Sequence, residues 1–188
     1  MAIESYYFRK KIKYHLTTLE KYTQLTNIPD DNEYRQDEYF SAVEIKIIEI
    51  CSLMRKMEDL GKLPDKTLAK SKVKAQVFKS LGPDSQRPFG DMEKEYNFND
   101  SRTVNLTLRD VCNMAMHSYL LQSMGEENVA FKWLFVTSDY SQFKGLYMIN
   151  INEFIDAFRG VVDTYPNHLE AEYSIEKQRW IYKRSKRT

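Results

Sequence analysis

Residues 101–124, SRTVNLTLRDVCNMAMHSYLLQSM, decide how the whole chain reads. At about 100° per residue, Val104, Leu108, Val111, Cys112, Ala115, Met116, Tyr119 and Leu120 fill one half of a helical wheel. This spacing predicts a single long helix, ended by Gly125. Arg109, Asn113 and His117 recur at steps of four along the edge of the apolar face, a polar stripe beside the core and open to water or to another chain.

Working outward, the same period recurs upstream. Phe8, Ile12, Leu16, Leu19 and Tyr22 predict an amphipathic helix over 3–25, broken by the turn-forming NIPDDN at 27–32. Phe40, Val43, Ile47, Ile50, Met54 and Met57 predict a second helix from Glu33 to about Leu60, stopped by Gly61 and Pro64. Its flanking Ile45, Ile48 and Cys51 widen the apolar face enough for more than one neighbour. Over 65–80, Leu68, Val73, Val77 and Phe78 oppose Lys66, Lys70 and Lys74, and the pattern predicts a short basic helix. Residues 82–100, rich in Gly, Pro, Asn and Asp, are expected to form a long loop.

Downstream, FKWLFVT (131–137) and GLYMINI (145–151) predict two antiparallel strands joined by a short loop. Asn152 is placed to cap a last helix that ends before Pro166. The expected fold is therefore mainly α: a bundle of about four to five helices with one C-terminal β-hairpin. It forms a single domain over 1–170, followed by a basic tail over 171–188.

Composition fits that expectation. With 188 residues, 42% hydrophobic and 13% aromatic, the chain can bury a substantial core, and 6 Gly with 5 Pro supply few turns for a β-sandwich or barrel. Cys51 and Cys112 both fall in apolar helical patterns, as buried free thiols do. No apolar run reaches the roughly 20 residues of a membrane span, and the first residues lack a signal-peptide pattern. The expectation is a cytoplasmic protein with no membrane contact. The net charge of +1 conceals an asymmetry, because residues 177–188 carry six Lys/Arg and no acid. Lys183, Arg184, Lys186 and Arg187 in this tail, with Lys66, Lys70 and Lys74, form a candidate phosphate-backbone footprint.

Several chemistries lack their motifs. The chain has no GxxxxGK[ST], GxGxxG, HExxH or paired CxxC, and its three histidines and two cysteines are too scattered to suggest a metal site. His15 and His168 have no chemical partners nearby in sequence.

The stripe on 101–124 carries a resemblance. Asn113, His117 and Tyr119 match the Asn, His and Tyr of the R-N-x-x-x-H-x-Y signature of HEPN proteins, a family of small helical-bundle ribonucleases. Cys112 stands at the family's Arg position, and Arg109 is the nearest guanidinium, one turn earlier. The resemblance implies metal-independent RNA cleavage without a cofactor, in which a 2′-hydroxyl attacks the adjacent phosphate. His117 would move the proton, Arg109 would stabilise the developing charge, and Asn113 would orient His117 or substrate. It implies a homodimer and an antitoxin-type protein partner, with Tyr119 a modification site, whereas the place of Tyr119 on the apolar face makes packing its default role. The alternative is a non-catalytic helical scaffold that binds a protein or nucleic acid.

Overall fold

A computed structural model describes residues 2–26, 33–64, 66–82, 92–126, 129–163, 169–174, 176 and 178–184. Its first two helices follow the apolar period of three and four. They are α1 (Ala2–Thr23) and α2 (Glu33–Asp59). Ile12, Leu16, Leu19, Val43, Ile47, Ile50, Met54 and Met57 are fully buried between them and their neighbours.

Beyond Leu63 the chain departs from the expected bundle and builds an α+β fold. After the four-residue α3 (Thr67–Lys70) comes β1 (Lys72–Ser80). The short α4 (Met92–Glu95) leads into β2 (Tyr96–Thr107), which is followed by α5 (Leu108–Met116) and β3 (Ser118–Glu126). Next come β4 (Val129–Ser138), β5 (Leu146–Asn150), α6 (Ile151–Asp163) and a separate two-stranded hairpin, β6 (Leu169–Ser174) and β7 (Arg179–Arg184). Strands β1 to β5 form one antiparallel sheet in the order β2-β1-β5-β4-β3.

The mainly α reading is corrected by residues whose true period is two. In β1, Val73, Ala75 and Val77 are buried, alternating with Lys72, Lys74 and Gln76. That is the pattern of a half-buried strand. Lys66 precedes α3, Lys70 is its last residue and Lys74 sits on β1, so the three exposed lysines form no helical stripe.

The 101–124 helix is likewise replaced by strand, helix and strand. Thr107 ends β2 and caps α5, its hydroxyl accepting from the Asp110 N–H at 3.1 Å while the Asp110 carboxylate accepts from the Thr107 N–H at 3.3 Å. This reciprocal box fixes the helix start. Only nine residues later, His117 leaves helical geometry (φ −121°, ψ 39°). Leu108, Val111, Cys112 and Ala115 remain on the buried face as expected, whereas Tyr119 and Leu120 belong to β3. β2 and β3 are opposite edges of the sheet, and α5 connects them.

The expected pair of strands over 131–151 is present as β4 and β5, set inside the sheet rather than at its margin. Asn150 caps α6 in place of Asn152, its side-chain oxygen accepting from the N–H groups of Asn152 (2.9 Å) and Glu153 (3.3 Å). The end of the expected long loop is α4 and the first part of β2, and the start of the expected basic tail is the β6–β7 hairpin. The turn expected at 27–32 and positions 83–91 lie outside the described residues.

α1, α2, α5 and α6 pack on one face of the sheet and enclose the main core. There Phe131 of β4 meets Tyr22 and Phe40 edge-to-face, with ring centroids 5.6 and 5.1 Å away. The opposite face carries a smaller cluster of Phe78, Tyr96, Leu120, Phe135 and Leu146. Cys51 and Cys112 are free thiols, both buried. Among the described residues, no helix is long and apolar enough to cross a membrane.

One buried titratable group links packing to pH. His15 of α1 is 3% exposed, and neither ring nitrogen makes a hydrogen bond, although Nε2 lies 3.2 Å from the Glu49 carboxylate. Burial lowers its pKa, with Lys46 and Lys11 acting in the same direction and Glu49 opposing them. The unfolded chain therefore binds a proton that the folded chain resists. The resulting stability is complete above the ordinary histidine value near 6.5 and is lost as pH falls below it toward the folded value. Thermal melts should show a decline in Tm below about pH 6.5 that is shallower in His15→Leu. Parallel curves for the two proteins would refute this assignment.

Candidate functional site

Helix α5 carries the site. Arg109 and Asn113 lie one turn apart on it and His117 follows at its C-terminal cap, so all three reach a common cleft of about 570 Å³. The floor and far walls come from Arg55 of α2, Tyr147 of β5 and the turn after β4, which supplies Ser138, Tyr140, Ser141 and Lys144.

The stripe is engaged by its surroundings. An Arg55 N–H donates to the Asn113 side-chain oxygen, leaving the two amide N–H donors of Asn113 for a ligand. Arg109 lies 3.6 Å from Glu58, whose side chain is only 11% exposed and whose carboxylate oxygens accept no hydrogen bond. The pairing is loose, and the Arg109 side chain stays 45% exposed. A ligand anion could therefore share the guanidinium with Glu58. The lining holds three cations, Arg55, Arg109 and Lys144, against one carboxylate, Asp110, which is occupied by the helix cap. Arg55 also lies 3.9 Å from Asp59, so both guanidinium groups face a carboxylate outside the lining, and Lys144 is the third cation of the wall.

The turn after β4 is tightly bonded. Ser141 Oγ lies 2.9 Å from Ser138 Oγ and 3.0 Å from Thr137 Oγ1, and it accepts from the Ser138 N–H at 2.9 Å. Backbone N–H groups of Ser141, Gln142 and Lys144 close the turn on Ser138 and Ser141 carbonyls. The Asp139 N–H donates to the His117 carbonyl at 3.4 Å, tying the turn to the end of α5.

Of the groups singled out from sequence, Arg109, Asn113 and His117 thus converge. Tyr119 does not join them: it lies on β3, where its hydroxyl donates to Glu95 at 3.3 Å. Burial raises its pKa, with Glu95 adding to the shift. Lys66, Lys70 and Lys74 are absent from the cleft wall. Lys183 and Arg184 belong to β7, and Lys186 and Arg187 lie outside the described residues. Sequence reasoning missed Arg55, which occupies the polar margin of the wide apolar face of α2. It also missed the chemistry of SDYSQFK, whose hydroxyls and lysine stand out only once the loop is placed beside α5.

A second groove of about 620 Å³ follows the β3 edge against α2. Its charged lining is acidic, Asp37 and Glu44, and Glu44 accepts from the Ser123 N–H at 3.1 Å. Burial raises the Glu44 pKa, opposed by the Ser123 hydrogen bonds. Among the described residues, no group of three or more His, Cys, Asp or Glu is arranged to hold a metal ion.

Comparison with known proteins gives no match: no family model, curated protein or solved structure matches this chain.

Proposed function

We propose that the α5 cleft binds the phosphate backbone of RNA and that His117 takes part in cleaving it. The observation that carries this reading is the convergence of Arg109, Asn113 and His117 with Arg55 and Lys144 on one cleft. Guanidinium groups suit phosphate oxygens through paired N–H donors, and the free Asn113 amide donors add to them. An exposed imidazole at the mouth can take the proton of an attacking 2′-hydroxyl, the role that histidine most often fills in general acid–base catalysis. The new bond joins the 2′-oxygen to phosphorus and the bond to the 5′-oxygen breaks. Lys144 is the other donor available to the leaving oxygen. The HEPN bundle is no part of the proposal, which keeps only the chemistry of the stripe.

Binding is tested by titrating a labelled RNA oligomer at several salt concentrations. About three phosphate contacts at roughly 0.7 each give a slope near −2 in log affinity against log salt. Arg109→Gln should flatten it by about 0.7. Absent or salt-insensitive binding would end the proposal.

A second reading, RNA binding without cleavage, is favoured by the intrachain contacts of Arg109 with Glu58 and of Asn113 with Arg55. It predicts salt-dependent binding with no products from wild-type protein.

A further inference from the structure

The turn beside the cleft displays two aromatic side chains in water: Tyr140 is 87% exposed and Phe143 is 60% exposed. Tyr140 is the most exposed of the large hydrophobic side chains among the described residues, and it stands on a hydrogen-bonded turn at the site. The bonds of Ser138, Ser141 and Thr137 fix that turn before any ligand arrives. A ligand that uses Tyr140 therefore pays little to order its backbone. Tyr140 also lines the cleft together with Lys144, four residues on, so a flat apolar surface and a cation flank one entrance.

We infer that Tyr140 is a base-stacking platform, and that the ligand of the cleft is single-stranded RNA with an unpaired base laid on this ring. The inference rests on the phosphate reading above and adds the substrate class to it. A paired duplex keeps its base faces covered, whereas a single strand offers them, and stacking on exposed rings beside a cationic groove is how single strands are held without sequence choice. With the phosphate drawn to Arg55 and Arg109, the base attached to the next ribose can reach the mouth, where Tyr140 stands. Phe143, on the same turn, extends the apolar surface beyond the cleft.

The test uses three labelled polyanions of about eight nucleotides: a single-stranded RNA, the same sequence as a duplex, and an abasic ribose-phosphate strand. Wild-type protein should bind the single strand about tenfold or more tightly than the other two. Tyr140→Ala should bring the single strand down to the abasic level while leaving abasic binding unchanged, and Tyr140→Phe should retain the preference. Equal binding of all three by wild type, unaltered in Tyr140→Ala, would overturn the stacking platform and leave the phosphate site standing. Binding of none would overturn both.

Discussion

His117→Ala is expected to lose RNA cleavage by about 10²- to 10⁴-fold, the usual contribution of a positioned proton-transfer group. The expectation comes from where the residue sits. His117 is exposed at the cap of α5, and the bonds that hold its segment are made by its backbone, the N–H to the Asn113 carbonyl at 3.0 Å and the carbonyl to Asp139. Truncating the imidazole therefore removes chemistry without removing packing, and surface changes of that kind usually stay within about 0.5 kcal/mol. Wild-type products should end in 2′,3′-cyclic phosphates, as attack by the 2′-hydroxyl requires, and should form in the presence of a chelator. Oligonucleotide cleavage followed by gel and mass analysis, with melting curves for both proteins, checks each point. Equal rates for the two folded proteins would remove His117 from the mechanism.

Phe131→Ala should destabilise the protein by about 3–5 kcal/mol, among the largest costs of a single core truncation. The ring is fully buried in the layer between sheet and helices, where it packs against Tyr22 of α1 and Phe40 of α2. Removing it opens a cavity where three elements meet. At about 2–4 °C per kcal/mol for a chain of this length, Tm should fall by roughly 10 °C. The prediction separates the two folds. On a helical bundle with a marginal hairpin, Phe131 would be peripheral and its loss cheap. In the observed sheet it lies on a strand with neighbours on both sides. A denaturant midpoint that barely moves would contradict the packing described for β4.

The contrast between the two folds shows which parts of the chain speak for themselves. α1, α2 and α6 are long and amphipathic, and their apolar spacing of three and four admits little else. β4 and β5 are dense in aromatic and β-branched residues. The failure lies in segments where two periods coexist. Val73 and Val77 stand four apart, as helix neighbours do, yet Ala75 between them completes a strand alternation, and small residues weigh little in a count of apolar faces. Across 101–124 the apolar residues fit a wheel only by chance of spacing. The local signals were Thr107 and Asp110, a capping box in mid-segment, and the β-branched Thr103, Val104 and Thr107 before it. Sheet pairing then overrides helix propensity, because β2 and β3 each gain a partner strand.

The stripe survived that error for a physical reason. Arg109 and Asn113 lie within the nine residues that are helical, and His117 caps them, so their relative placement needs only two turns. Tyr119, two residues further, fell on the strand side of the break and was lost to the site. Arg55 and the Ser138–Lys144 turn come from distant stretches of sequence, and only the tertiary fold brings them to α5.

The claim that RNA phosphate sits on α5 is tested most directly by amide chemical-shift mapping of the ¹⁵N-labelled protein titrated with a short single-stranded RNA. Saturable shifts should centre on Arg109, Asn113, His117, Ser141 and Lys144, and Arg55→Ala should weaken them together. Shifts confined to the β3 edge around Glu44 and Ser123, or to the sheet face around Phe78 and Phe135, with α5 unmoved, would contradict it.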